Sequence, residues 1–365
     1  MFLTLFIFLL ILGLLIFVHE LGHFVMAKKF GMKVEEFGFG FPPRLFAVKR
    51  KETIYSVNLI PLGGFVKIQG EDGGERQDPR SFASQSYGKR ALTLVAGVLM
   101  NIVLATVLIS AGYKIGSPQM VEGDVKANIK NPKVQILEVN QDSPAAAAGL
   151  EVGDTVREIN GQTIKEIEDV QQIINMSRGH EATFLIERGK NLITLKGTPR
   201  VDVPAGDGPM GVGLVKTAII SYSLPQAIKA GVIDTGYAVK FIAEALYNLV
   251  VNIMKTGKIS ADLSGPVGVA VMTGRATALG FVYLMQFTAL LSINLAIINI
   301  LPFPALDGGR LLFLGIEAIG RKPINQKVER MVNSVGFALL ILLMVMITFR
   351  DVIRFGIVDK LKGIF

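Results

Sequence analysis

The apolar positions of this chain gather into four long runs separated by stretches of different texture. The first starts at Met1, is broken early only by Thr4, and predicts a helix over 2–27. The others cover 91–113, 281–301 and 332–349. Each approaches or exceeds the ~20 residues that carry a helix across a bilayer, so about four transmembrane helices are predicted. Between the first two runs the period changes from helical to alternating. Phe37, Phe39 and Phe41 alternate with glycines, 54–60 is rich in β-formers, 61–64 reads as a turn, and 65–68 resumes the strand. Residues 71–80 are polar and Gly-rich, a loop.

Between the second and third runs the pattern is that of a water-soluble α+β domain. Residues 133–139 alternate as a strand, and 143–150 form a short helix closed by Gly149. A turn at Gly153-Asp154, a strand and the tight turn Asn160-Gly161 follow. Helical spacing over 167–176 precedes strands at 182–186 and 192–195, and the Gly-rich 206–215 offers one more. Residues 222–258 are helical but carry Gln226, Lys229, Asp234, Lys240, Glu244, Asn248 and Asn252. That is too polar to span easily, and an amphipathic helix on the membrane surface or beside a gate is expected.

Composition supports a membrane protein. Half of the 365 residues are apolar, and the chain has no cysteine, which removes disulfides, thiolate metal sites and thiol nucleophiles. The net charge of +8 fits basic cytoplasmic loops, and no basic stripe interleaved with aromatics points to nucleic acid. Lys28, Lys29, Lys33, Arg44, Lys49, Arg50 and Lys51 follow the first run, so that loop is expected in the cytoplasm and the N-terminus outside. Arg310, Arg321, Lys322, Lys327 and Arg330 place the segment after the third run in the cytoplasm too. Four alternating spans then put the soluble domain and the C-terminus outside, although Arg350, Arg354, Lys360 and Lys362 pull against the last assignment.

The candidate chemistry lies at the end of the first run, in His19-Glu20-Leu21-Gly22-His23. Histidines four apart share a helix face, so both can reach one Zn²⁺, while Glu20 between them can take a proton from water. Ionisable groups there are costly beside hydrocarbon unless they serve a function. Gly22 lowers helix propensity, and a close approach of substrate or metal would repay that. Two ligands do not complete a catalytic zinc site, which uses three. The chain's other histidine, His180, falls in the soluble domain, so an oxygen ligand at matching depth is required. Asp307, just after the third run, meets that condition; it could equally cap a helix starting at Gly308. Asn101, inside the second run, reads as a hydrogen bond between helices. The β-rich 36–70 is either a surface hairpin or an edge that pairs with an extended substrate.

Ser143-Pro-Ala-Ala-Ala-Ala-Gly-Leu150 followed by Gly153-Asp154 resembles the signature of PDZ domains attached to bacterial proteases. Together with His19-Glu20-x-x-His23 and Asn299-x-x-Pro302-x-Pro304-x-x-Asp307-Gly308, the whole chain resembles the site-2 protease family of intramembrane zinc metalloproteases. The similarity is to the bacterial branch typified by the regulator of sigma-E protease. Well-known members there carry two PDZ domains, and one is found here. The resemblance implies one Zn²⁺ per chain on His19, His23 and Asp307, with Glu20 as the catalytic base. It implies substrate handling by Asn299, Pro302 and Pro304, and by Gly40 and Phe41 in a membrane-dipping hairpin. The implied fold is a polytopic α-helical membrane protein with a membrane-associated β-hairpin or sheet and an inserted α+β PDZ domain.

The expected divisions are 1–113, an N-terminal membrane core; 117–200, the PDZ domain, with a further strand extending it to 216; 217–280, an amphipathic linker or gate; and 281–365, a C-terminal membrane core. The implied reaction is hydrolysis of peptide bonds within or beside the spans of single-pass membrane proteins, such as anti-sigma factors or remnant signal peptides. An upstream site-1 protease would act first. The implied location is the bacterial inner membrane, with the active site toward the cytoplasm. The competing reading is a non-catalytic membrane adaptor whose PDZ domain binds its partner and whose metal site is degenerate.

Overall fold

The computed structural model describes residues 2–121, 128–189, 191–204, 206–257 and 264–354; basic Lys360 and Lys362 lie outside the described residues. The chain forms two compact units, one of Met1–Gly112 with Ile228–Phe365 and the other of Tyr113–Ala227.

The first unit opens with α1 (Phe2–Lys29), which ends on Lys28 and Lys29. The strands β1 (Val34–Arg50) and β2 (Thr53–Ile68) follow. They are far longer than ordinary strands and fold back on themselves. Gly38 faces Phe65 on one side and Ser56 on the other, while Val48 pairs with Tyr55. The stretch expected as a turn at 61–64 is instead carried within β2, bent at Gly63, whose φ of +115° favours glycine. A core of Ala27, Met32, Val34, Ile68, Phe82, Leu94 and Leu314 ties the inner end of this sheet to the helices. The outer end is uncovered, with Phe41, Leu45, Phe46, Val48, Val57 and Leu59 exposed.

Helix α2 (Tyr87–Ile115) leads into the second unit. That unit has β3 (Ser117–Met120), β4 (Asn128–Val139), α3 (Pro144–Ala147), β5 (Thr155–Ile159), β6 (Gln162–Thr163), α4 (Ile167–Met176), β7 (Ala182–Arg188), β8 (Asn191–Gly197) and β9 (Val212–Ser221). The sheet order is β3-β9-β4-β5-β7-β8, with β6 pairing with β5. Alternation along the strands sends Val134, Ile136, Val156, Ile159, Phe184 and Ile186 into one core with Val170, Ile173 and Ile174 of α4. Ser143 caps α3 through the Ala146 N–H, and Gly149 takes φ +78° after it. His180 is exposed in a turn.

The first unit resumes with α5 (Leu224–Thr256), α6 (Pro266–Leu279), α7 (Phe281–Ile300), α8 (Asp307–Gly320) and α9 (Gln326–Arg354). Among the described residues, five helices are long and apolar enough to cross a membrane: α1, α2, α5, α7 and α9. That is one more than the four expected, and the addition is α5. Ala105, Ala289 and Ile293 join α2 to α7, with Val239 and Ile242 of α5 packed alongside.

Ion pairs gather at one end of this unit. Buried Glu317 of α8 accepts from Arg90 at 2.8 Å and Arg76 at 3.1 Å, and from the Ile324 N–H. Glu71 pairs with Arg310, and Asp72 with Arg330. The loop after β2 is thereby strapped across α8 and the start of α9. At the other end, buried Asp351 of α9 accepts from the Gly265 and Gly268 amides and so closes the start of α6.

Candidate metal centre

The site forms where the last turns of α1 meet α2, the end of α7 and the start of α8. His19 and His23 stand one above the other on α1, as their spacing requires. Both are buried, with ring centroids 4.8 Å apart and planes at 83°. Their Nε2 atoms lie 3.2 Å apart. Asp307 brings Oδ2 to 2.9 Å from His19 Nε2 and 3.4 Å from His23 Nε2. One ligand atom from each residue falls within 4.8 Å of the others.

Asp307 is not the helix cap that its position also allowed. Leu306 is the cap residue of α8, and Asp307 opens the first turn with its carboxylate turned to the histidines. The bend that brings it there is tight. A Cβ on Gly308 would lie 2.2 Å from the Ile300 and Leu301 carbonyl oxygens, so the glycine after Asp307 lets the start of α8 fold directly onto the end of α7. Ala305 adopts φ +73°, and the Asn333 side-chain oxygen accepts its N–H.

The far nitrogens of both rings are engaged. His23 Nδ1 is 2.8 Å from the Thr93 carbonyl, and His19 Nδ1 is 3.3 Å from Asn101 Nδ2. This holds both Nε2 atoms inward beside a carboxylate oxygen. Two imidazoles and one carboxylate, with the Thr93 carbonyl and the Asn101 amide on the far side of the two rings, make a donor set that fits a three-ligand zinc site.

Glu20 projects from α1 toward β2, where its Oε2 accepts the Val66 N–H at 3.1 Å. Gly64 of the same strand lies close by: a Cβ there would be 3.6 Å from Phe17 Cα and 3.8 Å from Glu20 Cγ. The β2 segment around Gly64–Val66 is therefore the part of the sheet nearest the acid.

The remaining sequence-derived candidates divide. Asn299 at the end of α7 has Nδ2 3.5 Å from His19 Nε2 and so borders the site. Pro302 and Pro304 lie in the α7–α8 turn, and Pro304 packs so tightly on α9 that a Cβ on Gly336 would lie 2.5 Å from it. Gly40 sits in the sheet with φ +79°; a Cβ there would be 2.7 Å from the Ile60 carbonyl oxygen. Phe41 is exposed on the outer part of that sheet. A Cβ on Gly22 would lie 2.3 Å from the Ala96 carbonyl oxygen, so the residue serves close packing of α1 on α2. The side chains that sequence reading passed over are on α2: Asn101, read as a generic helix–helix contact, and Gly97. The signal for them was a polar or small residue every fourth position, 93, 97 and 101, inside an apolar run.

Comparison with known proteins gives the family. The model of Peptidase family M50 matches residues 7–343. Zinc metalloprotease RasP of Geobacillus kaustophilus is 32% identical over 95% of this chain and 97% of its own length. Regulator of sigma-W protease RasP of Bacillus subtilis is 30% identical over 95% of this chain and 97% of its own. The solved PDZ domain of the SdrC-like protein of Listeria monocytogenes is 21% identical, covers 26% of this chain and 93% of its own, and has a TM-score of 0.20. A metal hydrolase built between membrane helices is the class that fold and site define. The chain belongs to Peptidase family M50, the site-2 protease family, and is a multi-pass zinc metalloprotease.

Proposed function

We propose that this protein hydrolyses peptide bonds within or beside the transmembrane segments of single-pass membrane proteins. His19, His23 and Asp307 are the zinc ligands and Glu20 is the catalytic base. The observation that carries this reading is the convergence of the three donor atoms beside an acid on the same helix, at the end of an apolar span.

A zinc ion held there supplies Lewis acidity, which activates water and polarises a carbonyl near neutral pH. Glu20 takes the proton of the attacking water and passes it to the leaving amine. Its Oε2 is oriented by the Val66 amide, which leaves Oε1 to carry the proton. An extended substrate pairs with the β2 edge at Gly64–Val66, which presents its scissile bond to Glu20. Asn299 orients the substrate carbonyl beside His19, Pro302 and Pro304 shape the turn that carries Asp307, and Gly40 and Phe41 hold and dip the sheet toward lipid. An apolar recess of about 550 Å³ lined by Phe6, Leu9, Leu10, Leu14, Phe17 and Phe39 runs along α1 to within a turn of Glu20 and suits an apolar segment.

In this reading α5, the most polar of the five long helices, lies along the membrane surface while α1, α2, α7 and α9 cross, so that the N-terminus and the PDZ domain lie outside the cytoplasm of a bacterial inner membrane and the site lies toward the cytoplasmic side. Anti-sigma factors and remnant signal peptides are the substrate classes, after a first cut by another protease. In this reading the divisions are a membrane core in two parts, with the PDZ domain and the α5 region between them.

The test is cleavage of a transmembrane model substrate by protein purified in detergent, alongside zinc content. Glu20→Gln is expected to keep zinc and lose cleavage by at least ~100-fold. Asp307→Ala is expected to lose both. Cleavage at the wild-type rate by Glu20→Gln, or full zinc content in Asp307→Ala, overturns the assignment.

A further inference from the structure

One face of α2 is shaped around the histidines of α1. Thr93, Gly97 and Asn101 are spaced four apart, so they line up along that face. Each meets the site differently. The Thr93 carbonyl oxygen is 2.8 Å from His23 Nδ1. Gly97 supplies room: a Cβ there would lie 2.4 Å from His23 Nε2 and 2.8 Å from His19 Cε1. Asn101 is completely buried, with Nδ2 3.3 Å from His19 Nδ1 and with Oδ1 buried and lacking a hydrogen-bond partner among the described residues. Ser292 of α7 donates to the Asn101 main-chain carbonyl, which fixes that turn of α2.

We infer that Asn101 is a positioning residue for His19, and that Gly97 keeps open the space in which both imidazoles point at the metal. The inference rests on the ligand set proposed above. A ligating imidazole binds metal through one nitrogen and carries its proton on the other, which needs an acceptor. His23 has a fixed acceptor in the Thr93 carbonyl. Among the described residues the partner of His19 Nδ1 is the Asn101 amide, and that amide has two different ends. With the His19 proton on Nε2, facing Asp307, Nδ1 accepts from Asn101 Nδ2. With metal on Nε2, the proton sits on Nδ1, and Oδ1 must face it. A half-turn of the amide exchanges the two ends at nearly equal volume. It sets the partnerless oxygen on the imidazole N–H. An asparagine thus serves both tautomers where leucine serves neither and aspartate serves the metal-holding one alone.

A plain packing role makes different predictions. Buried in apolar surroundings, Asn101→Leu would then be harmless or stabilising and Asn101→Asp the most damaging change. Positioning reverses that order for metal affinity. The experiment uses the full chain in detergent, with zinc affinity measured by competition with a coloured chelator and thermal unfolding of the metal-stripped protein measured in parallel. Asn101→Leu is expected to weaken zinc binding by about 10–100-fold, with the metal-stripped melting temperature kept or raised. Asn101→Asp is expected to bind zinc more tightly than Asn101→Leu. Gly97→Ala is expected to weaken zinc at least as much as Asn101→Leu, and it tests the same face if the leucine variant does not fold. Wild-type zinc affinity in Asn101→Leu or in Gly97→Ala, or an aspartate variant that binds no better than the leucine one, overturns the inference. His19→Ala separates the two levels: if it loses zinc while Asn101→Leu does not, the ligand set stands and the positioning role falls. If His19→Ala keeps wild-type affinity, the ligand set itself falls.

Discussion

At Gly22 a hydrogen stands where a methyl group would meet the Ala96 carbonyl carbon at 2.6 Å and Gly97 Cα at 2.9 Å. Both opposing groups are backbone of α2, so neither can swing aside. The glycine's loss of helix propensity, about 1 kcal/mol, is offset by the approach that brings Thr93 and Asn101 within reach of the histidines. Gly22→Ala is therefore expected to force α1 and α2 apart and cost about 1–3 kcal/mol, the usual range for overpacking. It should also weaken zinc binding, because His19 and His23 flank the displaced residue. Differential scanning of the detergent-solubilised protein checks the first, and chelator competition the second. An unchanged melting temperature would mean that the helices have slack at this contact.

Among the elements, the sheet of the second unit carries its own electrostatic pin. Asp154, almost wholly buried in the turn before β5, accepts from Arg188 Nε and Nη2, each at 2.8 Å, and from the Glu151 N–H at 2.9 Å. Burial pushes the carboxyl upward, but the Arg188 hydrogen bonds and the Glu151 amide outweigh it and hold Asp154 below the ordinary carboxylate range. The folded domain then binds the proton later than the unfolded chain does, which takes it up near ~3.9. Stability from this pin is complete above that value and is lost as pH falls through the lower, folded one. Hydrogen exchange of β5 and β7 in the full chain should show protection falling in acid. Asp154→Asn should lower protection at neutral pH and flatten its acid dependence. Equal acid dependence in both proteins would assign the loss to other groups.

For the whole molecule, the pairing of helix ends in the membrane unit carries a topological prediction. The end of α1, the starts of α2 and α9, and α8 are joined by the site, by Glu317 and by the strap from Glu71 to Arg76. The start of α6 and the end of α9 meet at Asp351. The topology proposed above puts Asp72 on the cytoplasmic side of the membrane and His180 on the other. The chain has no cysteine, so single substitutions report without background. Asp72→Cys is expected to react with an impermeant maleimide only in inverted vesicles, and His180→Cys only in right-side-out ones. Labelling of both from one side would break the alternating arrangement.

Sequence alone determined the features that repeat with a period or sit at a fixed local spacing. The spans follow from runs of apolar residues, the sheet strands from alternation, and the two histidines with Glu20 from one turn of helix. Those are short-range properties, fixed by backbone geometry once the element forms. The passage of β2 through 61–64 and the direction of the Asp307 side chain were decided by packing between elements. So was the use of Gly22, Gly97 and Asn101, residues whose surroundings come from another helix some 70 or more positions away. A glycine or an amide looks the same in sequence whether it faces lipid, a neighbouring backbone or a metal ligand. Only the close contact of α1 with α2 gives these three their roles, because the distances that matter there are a few tenths of an ångström wide and no local pattern encodes them.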